Sequence, residues 1–319
     1  MPPCGGPTPN CEPPKLSGAA HSSIPLIAAV SGWIGALALS GGAATVHCAA
    51  NGRSPTRRMR VPAVKGLIER RVLVNYRVDV DVLQRVLPAP FRVKVTSGVG
   101  IAGVCLIRLA QVRPRALPAI FGLTSENAAH RIAVEWDTPD GVREGVFIPR
   151  RDTSSFLNTL VGGRLFPGRH HRARFDVSES GDDICVALRS VDGATRVVVE
   201  ARLAERLPET SVFGSIDEAS TFFERGSIGY SATDRGGCFE CLELRSFDWR
   251  VEPLDVHRVE SSFFSDGALF PPGSVTFDCA LLMRSIAHEW HAHDALVVEA
   301  GRAAGSTGGS EPGSSAATL

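Results

Sequence analysis

Thr195-Arg-Val-Val-Val-Glu-Ala-Arg-Leu203 alternates polar and apolar side chains over much of its length. The same period of two occurs in part in Arg172–Val177 and most cleanly in Phe247–Val251, while Ile184–Leu188 is a short, wholly apolar run. A period of two puts successive side chains on opposite faces of a strand, one wet and one buried. The sequence therefore predicts a mainly β protein with antiparallel pairing.

More strands are predicted on either side of these segments, at Ile101–Leu109, His130–Trp136, Val256–Phe264 and Ser274–Met283. Three pairs of turn residues, Asp140-Gly141, Asp192-Gly193 and Gly236-Gly237, are typical of hairpins. Strands of this length with one wet face favour a barrel or a sandwich.

Three short helices are predicted among the strands. Asp79 can cap the first, which must end near Leu87 because a residue before proline avoids the α region. The second, Ser215–Arg225, opens with a capping box that Glu218 completes. The third is Ser154–Val161, followed by two glycines.

The composition changes near both ends of the chain. Residues 1–58 are rich in Gly, Pro, Ala and Ser, and the uncharged stretch Ile24–Val46 is long enough to span a bilayer but weakly apolar. A membrane anchor, a disordered leader and translation from an upstream start compete, and the position of Met59 favours the last two. We expect one domain over 59–296 and a disordered tail over 297–319.

The overall charge and the cysteines limit the function classes. Equal numbers of basic and acidic residues, 34 of each, do not suggest a nucleic-acid partner. The eight cysteines are scattered, and Cys105 and Cys185 lie inside apolar runs, where a free thiol behaves as a small hydrophobe. This is not the pattern of a disulfide scaffold, and it indicates a reducing, cytoplasmic compartment.

Two motifs resemble cofactor or metal sites. Gly98-Val-Gly-Ile-Ala-Gly103 has the spacing of a dinucleotide fingerprint, but a β-like run follows it where a helix is needed, so we expect a glycine-rich bend and no cofactor. Cys238 and Cys241 lack a second cysteine pair, and on a strand His288 would face away from His291 and His293. We therefore expect no metal.

A region dense in charge extends from Glu126 to Arg174. Within it, Ile148-Pro-Arg-Arg-Asp-Thr153 follows an apolar strand, where the mouth of a pocket is plausible. The adjacent guanidinium groups of Arg150 and Arg151 suit bidentate binding of a carboxylate. A solvated rim is the simpler interpretation of the same charges.

Four segments together resemble the acetoacetate decarboxylase-like superfamily, most closely an uncharacterised YqjF-like branch, over about Val61–His293. The opening signature is Asn75-Tyr-Arg-Val-Asp79, followed by Leu87-Pro-Ala-Pro-Phe91. Ser125-Glu-Asn127 with Arg131 is similar to the strand that supplies the active-site glutamate, and Arg143–Arg151 to the segment with the catalytic lysine pair. The resemblance implies a closed, cone-like antiparallel β-barrel with a buried cavity.

The sequence departs from that family at the catalytic lysines. Arg150 and Arg151 stand at both matching positions, and a guanidinium stays protonated and cannot form a Schiff base. The chain has only three lysines, Lys15, Lys65 and Lys94, and Lys94 matches no catalytic position. Decarboxylation through an imine is therefore not expected.

These observations lead to three hypotheses. The first is a barrel that binds a small acidic metabolite, such as a keto acid or acyl compound. In it Arg150 and Arg151 clamp the carboxylate, Glu126 orients or exchanges a proton, Arg77 adds a cation and Glu144 is a partner for the arginines. The second is a lyase or hydratase working through Glu126 and arginine-polarised carbonyls. The third is an interaction protein with a filled barrel. Whether the protein is an enzyme, and whether it forms a homo-oligomer, stays open.

Overall fold

A computed structural model describes residues 64–155, 168–234 and 236–298. The described chain is mainly β, as predicted. Its strands are β1 (Val64–Val78), β2 (Arg92–Val93), β3 (Val95–Thr96), β4 (Val99–Pro114), β5 (Leu123–Thr138), β6 (Gly141–Thr153), β7 (His170–Ser180), β8 (Asp183–Ser190), β9 (Arg196–Leu203), β10 (Ile228–Ala232), β11 (Cys238–Ser246), β12 (Glu252–Ser261) and β13 (Val275–Val297). The helices are α1 (Val80–Val86) and α2 (Ile216–Arg225), with a 3-10 turn at Ala119–Phe121.

The strands form one sheet in the order β11-β10-β6-β7-β8-β9-β12-β13-β1-β4-β5-β2, and β3 pairs with β4. Strand β11 also pairs with β13, and β5 with β6, so the pairings return on themselves. Most are antiparallel, but β6 pairs in parallel with both β7 and β10. The prediction of wholly antiparallel pairing is wrong there, because those strands approach β6 through longer connections than a hairpin.

Two apolar clusters lie on opposite faces of the central strands. The first cluster draws on residues of most long strands, among them Val72, Leu106 and Trp136. The second cluster includes Cys105 on β4, and Phe223 of α2 packs within it. Because side chains alternate along a strand, each of these strands is buried on both faces.

Both helices begin where their caps predict. The Asp79 carboxylate accepts hydrogen bonds from the backbone N–H groups of Asp81 and Val82 and so starts α1. The Ser215 hydroxyl accepts from the Glu218 N–H at 3.1 Å and starts α2, although the Glu218 carboxylate itself accepts from Gly214. The third predicted helix, Ser154–Val161, lies outside the described residues from position 156 onward.

The most regular alternation in the sequence, Phe247–Val251, does not form a strand. It connects β11 to β12, and Phe247 is exposed. Trp249 instead packs inward: its indole N–H donates to the Ser220 hydroxyl of α2 at 3.0 Å. A short period of two is equally compatible with a connecting segment that buries one aromatic ring against a helix.

The glycine-rich motif forms a bend only at Gly98, and the rest of it, from Val99, belongs to β4. Gly98 has φ +80° in the turn before β4, a conformation that favours glycine. A Cβ on Gly103 would lie 2.1 Å from the carbonyl oxygen of Val74 on β1. The glycines thus allow close strand contact and a tight turn.

The cysteines depart from the prediction of free thiols at apolar positions. Cys105, Cys241 and Cys279 are free and buried, but Cys185 and Cys238 take part in disulfide bonds. A disulfide requires two sulfur atoms at bonding distance, which tertiary structure decides and an apolar neighbourhood in sequence does not show. Within the described residues, no helix is both long and apolar enough to cross a membrane.

Candidate functional site

Glu126, the predicted proton-exchanging group, is held between two arginines. Its carboxylate accepts from Arg70 Nη2 at 2.5 Å and from Arg108 Nη1 at 3.1 Å. Arg70 is 1% exposed and also donates to Glu179 at 2.6 Å. These contacts follow the sheet register, because Arg70 faces Arg108 and Arg108 faces Glu126 on neighbouring strands. The glutamate therefore belongs to a neutralised ion-pair network.

Arg150 is also paired with acidic residues. Its Nε and Nη2 bond to the two oxygens of the Asp152 carboxylate at 3.0 and 2.8 Å. Its Nη2 also lies 3.0 Å from both oxygens of Asp192. A guanidinium in two ion pairs has little capacity left for a ligand carboxylate.

Arg151 points to the other face of β6. Arg150 pairs with His130 and Arg151 with Ala129, and consecutive residues of a strand project oppositely. The Arg151 Nε donates to the Ser231 hydroxyl at 3.2 Å, and burial lowers the pKa of Arg151 to about 10. The structure thus separates the adjacent arginines that the sequence suggested as a joint clamp.

Arg77 and Glu144, the remaining predicted site residues, lie apart from Arg150 and Glu126. Arg77 donates to the carbonyl oxygen of Thr210 at 2.6 Å, and its Nε is 3.7 Å from Asp278. Glu144 forms an ion pair with Lys94. Neither contacts Arg150 or Glu126 in the part of the chain that the structure describes.

The register does bring three polar side chains to one face of the sheet. Arg131 pairs with Gly103 and Cys105 with Ala129, and Ala129 pairs in turn with Arg151. Arg131, Cys105 and Arg151 therefore share the face of the second cluster, which α2 covers. In the sequence, Arg131 is only an accessory part of the glutamate-strand signature, and no motif marks Cys105 as a site residue.

Arg131 is buried without an acidic partner. It donates to the side-chain oxygen of Asn75 and lies 4.8 Å from the Phe223 ring centroid. Its Nε is buried and has no hydrogen-bond partner, and burial lowers its pKa to about 10. Within residues 64–155, 168–234 and 236–298, no carboxylate lies within 4 Å of the guanidinium groups of Arg131 or Arg151.

Cys105 lies within electrostatic reach of several guanidinium groups. Arg71 Nε donates to the Cys105 Sγ at 3.3 Å, while its guanidinium lies 5.7 Å from the Trp249 ring centroid. Interaction with this sulfur raises the pKa values of Arg131 and Arg151, against the larger effect of burial, which lowers them. We call Arg71, Arg131 and Arg151 around Cys105 the arginine cluster.

A small cavity adjoins this cluster beneath α2. Its lining consists of Lys94, Arg131, Ala133, Gly145, Val146, Phe222, Phe223 and Gly226. The Lys94 ammonium lies 4.3 Å from the Phe222 ring centroid as well as beside Glu144. The cavity volume is about 10 Å³, which is room for about one water molecule.

A sequence signal for this cluster existed in the β5 pattern. Arg131 lies in the predicted strand His130–Trp136, directly before the apolar residues Ile132–Val134. An arginine is rarely buried unless it is paired, so a cation inside such a run is informative. Its association with Cys105 and Arg151 depends on strand pairing and has no local signal.

The histidines near the end of β13 make separate contacts. His291 lies 3.0 Å from Glu289, and His293 lies 2.7 Å from Glu243 on β11. Among the described residues, no three His, Cys, Asp or Glu side chains are grouped as a metal site. The absence of a metal stays a prediction.

The fold and the arginine cluster define a mainly β protein with basic side chains buried against its sheet. The chain belongs to the family DUF2071, described as an uncharacterized conserved protein (COG2071), which matches residues 68–279. This match confirms the resemblance to an uncharacterised family. A comparison with curated proteins found no match.

Solved structures with a similar fold are acetoacetate decarboxylase-like. An acetoacetate decarboxylase-like enzyme from Sphingomonas wittichii RW1 is 13% identical, with 78% of this chain and 98% of that chain covered and a TM-score of 0.47. Acetoacetate decarboxylase from Legionella pneumophila subsp. pneumophila str. Philadelphia 1 is 11% identical, with 88% of this chain and 98% of that chain covered and a TM-score of 0.46. The enduracididine biosynthesis enzyme MppR complexed with pyruvate is 11% identical, with 76% of this chain and 92% of that chain covered and a TM-score of 0.46. At these identities and TM-scores, the likeness carries no conclusion about this chain.

Proposed function

We propose that this protein binds a small acidic metabolite, of the keto-acid or acyl class, at Arg131 and Arg151. The observation that carries the proposal is that both guanidinium groups have pKa values lowered by burial and no carboxylate within 4 Å in the described chain. An arginine with a pKa of about 10 is still charged at neutral pH. Glu240 acts on Arg151 and offsets part of its charge, whereas no carboxylate of the described residues does so at Arg131. An uncompensated charge in a low-dielectric site costs several kcal/mol, and a ligand carboxylate would offset that cost.

In this proposal the ligand carboxylate lies on the face of the sheet that carries the second cluster, and not between Arg150 and Arg151. Arg151 keeps the role suggested by its sequence position, and Arg131 takes the place of Arg150. Arg150, Arg77, Glu144 and Glu126 hold the surrounding strands through ion pairs and hydrogen bonds within the protein.

Imine chemistry is not part of this proposal. Lys94 lines the cavity next to Arg131, but its ammonium forms an ion pair with Glu144. Imine formation needs a free amine, which a lysine provides when it is desolvated or flanked by another cation. The Lys94 ammonium instead lies against the Glu144 carboxylate.

The strand pairings return on themselves, which supports the expectation of a closed barrel around the first cluster. Aromatic side chains pack within that cluster: Phe91 lies 5.8 Å from Trp136 and 5.1 Å from Phe239, between ring centroids. This packing favours an interaction protein with a filled interior as the second candidate function. A lyase or hydratase based on Glu126 is less well supported, because two arginines already hold that carboxylate.

Equilibrium binding of pyruvate and acetoacetate tests the proposal. Arg131→Gln and Arg151→Gln should each weaken binding about 10- to 150-fold, corresponding to about 1.5–3 kcal/mol for a charged hydrogen bond. Arg206→Gln is the matched control. Arg206 is 83% exposed, and it forms an ion pair with Glu209, which is not a site residue. Neutral acetone should bind the parent protein no more tightly than it binds the two variants.

Borohydride treatment separates this function from imine chemistry. Incubation with pyruvate or acetoacetate should leave the protein mass unchanged. An adduct mapped to Lys94 would overturn the proposal in favour of a Schiff-base enzyme. If neither keto acid binds and the variants match the parent protein, the filled-interior candidate replaces it.

A further inference from the structure

The connection between β4 and β5 exposes two large apolar side chains that are adjacent in sequence. Ile120 is 86% exposed and Phe121 is 56% exposed, and both belong to the 3-10 turn Ala119–Phe121. The other exposed large apolar side chains of the described chain stand singly, as at Val142 and Phe247. Single exposed apolar residues are ordinary on a protein surface, whereas neighbouring ones mark a candidate contact surface. We call Ile120 and Phe121 the apolar tip.

Hydrogen bonds within the connection fix the backbone that carries the apolar tip. The Phe121 N–H donates to the carbonyl oxygen of Pro118 at 3.2 Å and closes the turn. The Arg113 guanidinium donates to the carbonyl oxygens of Leu117 at 3.1 Å and Gln111 at 2.7 Å. A segment that is ordered before it binds loses little conformational entropy on binding. The apolar tip is therefore presented to solvent in a preorganised form.

The charged groups next to the apolar tip are mainly cationic. Residues 110–124 contain Arg113 and Arg115 and no acidic residue. Lys65 pairs with Arg113 across β1 and β4, so both side chains lie on the same face. Arg115 is 69% exposed, and its Nε lies 3.6 Å from the carboxylate of Glu289, whose side chain is only 13% exposed. Three cations and one carboxylate leave a net positive charge beside the exposed apolar pair.

We propose that the apolar tip binds the surface of a membrane that contains anionic lipids. Ile120 and Phe121 enter the headgroup region and contact the acyl chains, while Arg113 and Arg115 lie at the level of the lipid phosphates. Apolar side chains beside cations favour an anionic bilayer, because the apolar area leaves water and the cations attract the headgroups. This binding is additional to the proposed function, which concerns a small dissolved metabolite.

A second copy of the chain fits the apolar tip less well than a bilayer does. Two side chains on one turn provide much less than the about 800 Å² per partner that a stable dimer buries. A twofold contact through the tip would also bring the arginines of both copies together, and like charges repel. An anionic surface complements the same arginines.

Co-sedimentation of the full-length chain with lipid vesicles tests the proposal. We expect binding to vesicles that contain phosphatidylcholine and phosphatidylglycerol, and much weaker binding to vesicles of phosphatidylcholine alone. High ionic strength should weaken the binding, because salt screens exposed charges. Ile120→Ser and Phe121→Ser should each weaken binding to the mixed vesicles about tenfold, since each removes an apolar side chain from the contact.

Val142→Ser is the matched control for these substitutions. Val142 is also an exposed apolar residue, but it pairs with Asp137 at the far end of β5 from the apolar tip. This variant should bind the mixed vesicles as the parent protein does. All three variants should keep the thermal midpoint of the parent protein, because each changes an exposed side chain.

The double variant of Ile120→Ser and Phe121→Ser decides between the apolar tip and other parts of the chain. Undiminished binding of this variant to the mixed vesicles overturns the proposal and assigns the binding to another segment. Equal binding of the parent protein to neutral and mixed vesicles, or to neither, also overturns it. A dimer that the double variant loses in sedimentation equilibrium, without vesicle binding by the parent protein, means that a second copy covers the tip instead.

Tryptophan fluorescence tests whether the apolar tip enters the bilayer. Lipids with brominated acyl chains quench a tryptophan that contacts those chains. In Phe121→Trp, the fluorescence should be quenched by mixed vesicles of such lipids more strongly than in the parent protein. Equal quenching of the two proteins overturns the insertion of Phe121.

Discussion

Replacing Glu126 by glutamine should reveal a structural carboxylate. The Glu126 side chain is 10% exposed and accepts one hydrogen bond each from Arg70 and Arg108. Glutamine keeps the size but removes the charge and leaves the buried Arg70 guanidinium with Glu179 alone. Breaking a buried ion pair costs about 3–5 kcal/mol, and the remaining partner reduces this to an expected loss of about 2–3 kcal/mol.

Urea unfolding of Glu126→Gln and Glu69→Gln measures this loss against a matched control. Glu69 also binds Arg108, at 2.6 Å, but its side chain is 41% exposed. We expect Glu69→Gln to cost less than about 1 kcal/mol, because exposed ion pairs contribute little. Pyruvate binding should survive in both variants. Equal stability of Glu126→Gln and the parent protein would contradict the assignment, and loss of binding without loss of stability would return Glu126 to the ligand site.

Two further predictions concern acid stability and strand packing. Burial lowers the pKa of His130 to about 3, so the unfolded chain takes up a proton near pH 6.5 that the folded chain does not. Its contribution to stability is complete above that pH and decreases as the pH falls toward 3. His130→Phe, beside the Phe263 ring, should therefore reduce the slope of unfolding free energy against pH by about 1.4 kcal/mol per pH unit between pH 4 and 6, measured by urea titration. An unchanged slope would show that His130 is already charged in the fold. Gly103→Ala should destabilise by about 3 kcal/mol in thermal or urea unfolding, because its Cβ would overlap the Val74 carbonyl. Gly98→Asn, in an open turn with positive φ, should lose less than about 1 kcal/mol, and similar losses for both would refute the packing argument.

Local patterns in the sequence determined the class of fold and part of the chemistry. Alternation at Thr195–Leu203 predicts a strand that the structure has at Arg196–Leu203, and the capping residues Asp79 and Ser215 mark the true starts of both helices. These features depend on neighbours within a few residues, so the sequence contains their causes. The arginines at positions 150 and 151 likewise exclude imine formation there from side-chain chemistry alone.

Only the tertiary structure decided which side chains meet. Arg150 and Arg151 are adjacent in sequence, yet alternation in β6 sends one to acidic partners and the other to the arginine cluster. Cys105 and Arg131 come together because β4 and β5 pair in one particular register, and a shift by one residue would turn each to the opposite face. Pairing between distant strands fixes that register, and no short segment of the sequence contains it.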